Sequence, residues 1–148
     1  MYEPSVFPAI RDQVALYEKT DGAEGGSLNG HPLIILTTTG ARTGKLRKTP
    51  LLKLKHQDAY IVVASYGGAP NDPDWYRNLK ADPTAQVQDG PAKRTLRARE
   101  ATAAEKQTLW RIADASWPDF PAYRAAAAPR EIPILILEPP QPGASPEA

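Results

Sequence analysis

The alternation of apolar and polar positions divides the chain into short elements. Ile10, Val14 and Tyr17 fall on one face at helical spacing and Pro8 suits a first turn, which predicts a helix over residues 8–19. Thr20–Gly30 carries four glycines in eleven residues and reads as a loop. Leu33–Thr39 then reads as a strand, Gly40–Gly44 as a turn, and Arg47–Lys55 as a returning strand in which Leu52 and Leu54 alternate with Lys53 and Lys55. Pro50 cannot donate to a ladder and marks an edge or a bulge. A third strand, Tyr60–Ser65, follows a tight connection at Gln57–Ala59 and breaks at Gly67-Gly68.

The second half begins with Asp72-Pro73, a cap followed by a first-turn proline, which predicts a helix over Pro73–Ala81. Trp75, Asn78 and Leu79 share one side of it, and an amide on a packed face needs partners. Thr84–Asp89 and Lys93–Glu100 predict a hairpin with Leu96 and Ala98 inward and Arg97 and Arg99 outward. Thr102 and Glu105 form a capping-box signature for a helix to about Ala115. WPDFPAYRAAAA supplies a short aromatic lid, and Arg130–Glu138 a final apolar strand long enough to be central. About six strands with inserted helices, not alternating regularly with them, suggest an antiparallel β-barrel of α+β class.

Length and composition narrow the function. The 148 residues suit one domain, residues 1–139, followed by a Pro-rich tail, 140–148, whose composition predicts disorder. The chain has no cysteine, which removes thiol catalysis, disulfides and zinc–thiolate sites and suits a reducing cytoplasm. The apolar runs Pro32–Leu36 and Ile132–Leu137 are too short to span a bilayer, and the first residues do not have the pattern of a secretory signal. The first helix packs on the domain in the main reading; peripheral contact with a membrane surface is the minority one.

Charge adds the first chemical signal. The net charge is only +1, yet six of the 18 Lys and Arg, namely Arg42, Lys45, Arg47, Lys48, Lys53 and Lys55, sit in one hairpin, with no acidic residue between Glu24 and Asp58. Such a field suits an anionic partner. Turn amides and arginines add donors for phosphate or carboxylate, although a solvated face is the plainer explanation of a charge run. Gly40–Lys45 fails the nucleotide P-loop pattern, because only three residues separate its glycines and Leu46 follows the lysine. His31 and His56 lack a carboxylate constellation, so no metal site is expected. No aromatic interleaves the basic strand, which argues against nucleic acid. With no side-chain set able to do hard chemistry alone, an enzyme of this sequence depends on a cofactor.

Two long motifs, LTTTGARTGKLRKTPLL and VVASYGGAPNDPDWYRNLKADPTAQVQ, closely resemble the deazaflavin-dependent nitroreductase family, and the resemblance extends from about Leu33 to Pro139. It implies a split β-barrel oxidoreductase using reduced coenzyme F420, with many members described as quinone reductases. The coenzyme is a deazaflavin with a ribityl phosphate and a γ-linked polyglutamate tail. By this resemblance Arg42, Thr43, Lys45, Arg47 and Lys48 would hold the anionic groups. Thr49, Pro50, Leu51 and Leu52 would line the ring's approach; Val63, Ala64, Ser65 and Tyr66 would border the ring, with Gly67 and Gly68 permitting close backbone approach. Trp75, Tyr76 and Asn78 would close the pocket. Hydride would pass to a quinone, enone or nitro compound, with Ser65 and then Tyr123 as candidate donors to the acceptor oxygen.

The acceptor pocket would comprise Leu52, Trp117, Phe120 and Tyr123. The nitroimidazole-reducing member of the family carries tyrosines in place of Trp117, Phe120 and Leu52, and a lysine in place of Tyr66. The resemblance therefore implies an apolar pocket favouring quinones and conjugated enones over nitroimidazoles. An FMN-binding split barrel and a non-enzymatic deazaflavin carrier or sensor stay open as alternatives. The expected state is a monomer or weak dimer acting on a small-molecule acceptor.

Overall fold

The computed structural model describes residues 1–140, and the expected disorder of the Pro-rich tail concerns residues that lie almost wholly outside that range. Its eight strands are β1 Ser27–Leu28, β2 His31–Thr39, β3 Leu46–Leu52, β4 Leu54–His56, β5 Ala59–Val63, β6 Thr84–Asp89, β7 Ala92–Glu100 and β8 Ile134–Glu138. Four helices accompany them: α1 Pro8–Thr20, α2 Asp74–Ala81, α3 Ala103–Ser116 and α4 Phe120–Ala127.

All strand pairs are antiparallel and run in the order β1-β2-β6-β7-β8-β5-β4, with β3 also pairing β2. The expected single strand Arg47–Lys55 is thus two. β3 pairs with β2, β4 pairs with β5, and the chain bends between them at Lys53, whose N–H donates to the Pro32 carbonyl at 2.9 Å. The bend joins the two ends of the curled sheet covalently and gives a split barrel. Together with the two-residue β1, it raises the strand count above six. Pro50 disturbs no ladder, because the far edge of β3 carries only an isolated bridge from Tyr2 to Leu46 among the described residues.

Both faces of the central strands are covered, which explains their unbroken apolar runs. Ile34 and Leu36 of β2 point into the barrel with Tyr60, Val62, Val87, Leu135 and Leu137, while Leu33 and Ile35 meet Val14 and Tyr17 of α1. Ile134 and Ile136 of β8 pack outward on Leu109, Ala113 and Phe120 of α3 and α4. Each such aliphatic side chain contributes about 1.5–3 kcal/mol by burial. β8 lies between β7 and β5, the central place expected of it, but begins at Ile134, after Pro133, rather than at Arg130.

Polar ties set the helices in place. The Tyr17 hydroxyl donates to the Leu33 carbonyl at 3.1 Å and accepts from the Gly90 N–H at 2.8 Å, joining α1 to β2 and to the β6–β7 turn. The Thr102–Glu105 capping box is formed, and Arg99 clamps Glu105 and Glu138 together at the start of α3. The start of α2 departs from expectation. Pro73 itself occupies the N-cap, and the Asp72 carboxylate turns away to Arg130, 2.8 Å from Nη1. β5 likewise ends at Val63, so Ser65 lies beyond the strand and leads into a one-turn 3-10 helix, Tyr66–Gly68.

Candidate functional site

One large cavity, about 810 Å³, opens between the β2–β3 hairpin, the start of α2, the 3-10 turn and α4. Its two ends differ. At one end Arg42, Thr43, Arg47 and Lys48 line it; at the other are Leu52, Leu54, Val63, Trp117, Phe120 and Tyr123. Thr49, Pro50, Leu51, Ser65, Tyr66, Gly67, Trp75 and Asn78 complete the wall between.

Asn78 fixes the hairpin against α2. Its buried carboxamide accepts from the Ala41 N–H at 3.0 Å and donates to Thr38 Oγ1 at 3.1 Å. These are the partners its place on the packed face demanded. The turn itself closes through Gly40 N–H on the Lys45 carbonyl at 2.8 Å and Gly44 N–H on the Gly40 carbonyl at 2.9 Å, with Gly44 at φ 70°.

The opposite wall depends on Arg130, which the sequence marks only as the start of a strand. Its guanidinium donates to the carbonyls of Ala64, Ser65 and Ala69 at 2.8–3.1 Å and to Asp72 at 2.8 Å. It therefore nails down both ends of the turn that presents Ser65, Tyr66 and Gly67 to the cavity. Gly68, at φ +83°, lets α4 rest directly on that turn: a Cβ there would lie 2.9 Å from the Tyr123 carbonyl oxygen and from the Ala126 methyl. In α4 itself, Tyr123 accepts a hydrogen bond from the Trp117 indole N–H at 3.4 Å and stacks edge-on with Phe120. The indole has no acceptor, so that bond leaves the tyrosine proton available for another group.

Four expected residues stand apart from the cavity. Lys45 is exposed beyond the turn, Ala64 is fully buried with its N–H on the Pro133 carbonyl, and Gly68 is covered by α4. Tyr76 points to the far side of α2, where its hydroxyl donates to Glu100; burial first, and then Glu100, raises its pKa above the usual tyrosine value. Side chains on one short helix reach opposite faces, which the motif alone does not resolve.

The cavity also has a wall the sequence did not announce. Glu3, Ser5, Phe7, Ile10 and Gln13 line it, and Glu3 pairs with Arg47 at 2.8 Å while Glu18 of α1 pairs with Lys48. Lys53 pairs with Asp89 at 3.0 Å. The one available signal was negative: a hairpin lacking acids of its own draws counter-ions from elsewhere in the chain.

Comparison with known proteins shows the family. The family model described as F420H(2)-dependent quinone reductase matches residues 9–139. The chain belongs to that family. Among curated members, an F420H(2)-dependent quinone reductase of Mycobacterium tuberculosis is 34% identical over 131 residues, covering 86% of this chain and 88% of that protein. Among solved structures, the F420-H2 dependent reductase FDR-A is 40% identical with a TM-score of 0.67, covering 72% of this chain and 94% of its own. A second family-like chain, described as a domain-swapped dimer, is 36% identical with a TM-score of 0.70 over 86% of this chain and 96% of its own. The heme storage protein HutZ of Vibrio cholerae, 12% identical with a TM-score of 0.53 over 85% of this chain and 89% of its own, shares the barrel fold alone.

Proposed function

We propose that this quinone reductase family member moves hydride from reduced coenzyme F420 to a small apolar acceptor, a quinone or conjugated enone. The observation that carries the reading is the polarity of the cavity, with cations at one end and aromatic and aliphatic side chains at the other. The lining fits the group: Arg42, Thr43, Arg47 and Lys48 suit phosphate and glutamate oxygens, and Gly67, with no atom within 4 Å of where its Cβ would be, leaves room beside the ring.

When bound, the reduced deazaflavin supplies the hydride from its C5. The chain's own share is geometry and electrostatics. Leu52, Val63 and Trp75 would give the ring and its acceptor an apolar wall to lie against, and placing two reactants in contact removes much of the entropic barrier. Ser65 and Tyr123 sit on the wall as donors for negative charge developing on the acceptor oxygen, a role worth about 10²–10³ in rate when one such donor is removed. Tyr123 is the better oriented, because Trp117 occupies one of its lone pairs. Among the described residues no helix is long and apolar enough to cross a membrane, and the proposed setting is the cytoplasm, as a monomer or weak dimer without nucleic acid, with peripheral membrane contact as the minority reading.

The test is a titration of purified protein with reduced F420 and separately with FMN, followed by deazaflavin absorbance after menadione is added. Binding of F420 and menadione-dependent reoxidation are expected. Binding without turnover on any quinone, enone or nitro compound makes the protein a carrier, and binding of FMN alone overturns the reading.

A further inference from the structure

Residues 1–7 lie across the mouth of the cavity as a strap held by little. The Leu46 N–H donates to the Met1 carbonyl at 2.7 Å, the Glu3 N–H donates to the Leu46 carbonyl at 2.8 Å, and Arg47 Nη1 reaches Glu3 Oε1 at 2.8 Å. The Lys48 ammonium sits over the Tyr2 ring at 4.6 Å and pairs with Glu18 from the neighbouring helix α1. None of residues 1–7 belongs to the hydrophobic core, and Val6 and Phe7 remain 80% and 61% exposed. A segment tied by two backbone bonds, one part-exposed ion pair and one cation–π contact opens at low cost.

We infer that Glu3 and Glu18 are internal stand-ins for the anionic part of the coenzyme, occupying Arg47 and Lys48 until the coenzyme's phosphate or glutamate carboxylates displace them. This rests on the reading that those two cations hold the coenzyme. A glutamate carboxylate on Arg47 is the same chemical group that a polyglutamate tail presents, so the two compete for one guanidinium. Glu3, Ser5 and Phe7 line the cavity, so the strap and an incoming anion also compete for space. Binding therefore exchanges one ion pair for another and releases the strap from β3. Two consequences follow. The acids screen the cations against weak monovalent anions, and they set coenzyme affinity below the value the bare cations would give.

The experiment measures F420 affinity by fluorescence titration for wild type, Glu3→Gln, Glu18→Gln, the double variant, Arg47→Gln and, as a control for net charge, the exposed loop variant Glu24→Gln. Half-exposed pairs of this kind are worth about two- to fivefold each, so each single variant binds more tightly by that factor and the double by about tenfold, with Glu24→Gln unchanged. Hydrogen exchange on the wild-type protein supplies a second readout: the amides of Glu3 and Leu46 exchange faster once F420 is bound. If Arg47→Gln weakens binding while Glu3→Gln and Glu18→Gln do not tighten it, or if F420 protects the Glu3 amide, the inference fails and the coenzyme site stands. If Arg47→Gln binds as tightly as wild type, the assignment of the cations fails and the inference falls with it.

Discussion

Arg130 shows how much of a site can depend on one side chain outside it. A single guanidinium serves three backbone carbonyls and a carboxylate with planar, forked geometry, which an ammonium cannot reproduce. Arg130→Met leaves those acceptors without their donor, and a loss of about 2–4 kcal/mol in urea unfolding is expected. Arg130→Lys keeps the pair with Asp72 but not the three carbonyls. It is expected to fold with a smaller loss and to bind F420 more weakly than wild type, measured by the same fluorescence titration. Equal affinity would show that the turn carrying Ser65 holds its shape unaided. Nothing in the sequence distinguishes this arginine from the 17 other basic side chains, because its acceptors are backbone groups remote from it along the chain.

Among the elements, the junction of β5, β6 and the Lys53 bend carries a titratable cluster. The Tyr60 hydroxyl donates to Asp89 at 2.6 Å, and Asp89 also pairs with Lys53. Burial first, then the bond to Asp89 and its charge, push the Tyr60 pKa up from 10.0 to about 12, with Arg94 opposing. Burial alone would raise the Asp89 pKa, but the bonds from Tyr60 and Lys53 outweigh it and hold the carboxyl below its usual range. A raised pKa favours the fold while the unfolded tyrosine stays neutral, so this contribution is whole below pH 10 and is lost as pH rises to about 12. The Asp89 contribution has the opposite sense: it is whole above the ordinary carboxyl pKa of 3.8 and is lost as pH falls below it. In urea melts at several pH values, Tyr60→Phe is expected to be less stable near neutrality and to lose less between pH 10 and 12. An unchanged alkaline slope would remove Tyr60 from that role. The hairpin, the capped helix α3 and the central last strand were legible here because local signals, alternation, a capping box and an unbroken apolar run, agree with the tertiary outcome; the cap expected at Asp72 was not, because Arg130, far along the chain, draws that carboxylate away. The bend at Lys53 was not, since Leu52, Lys53 and Leu54 alternate as one strand would; its cause is long-range, the Pro32 carbonyl and Asp89 reaching Lys53 from other strands.

For the molecule as a whole, the proposed function makes the apolar part of the cavity the place where acceptors are selected. Trp117 and Phe120 give the cavity apolar ring surface, and Leu52 adds no polar atom, a lining that offers few donors to a nitro group. Steady-state assays are expected to show menadione reduced with higher kcat/KM than nitroimidazoles, and Tyr123→Phe to lower kcat on menadione by about a hundred- to a thousandfold with smaller change in KM. The reverse preference, or an unchanged kcat in Tyr123→Phe, would displace Tyr123 from its place beside the acceptor oxygen. The motifs made most of the cavity's hairpin and turn lining legible because those residues are contiguous in the chain. The wall formed by Glu3, Ser5 and Phe7 was hidden, because only the folded β3 edge brings it there.

Gly68 sets how closely these parts stack. With no methyl between them, α4 and the turn below it are stacked at the least separation two backbones allow, and any side chain at that position forces them apart. The side chains at 117, just before α4, and at 120 and 123, within it, can be exchanged without touching that contact. A side chain at Gly68 is therefore felt at a distance: it would wedge α4 off the turn that carries Ser65 and Tyr66, whereas exchanges at 117, 120 and 123 change the cavity's lining and leave that spacing alone.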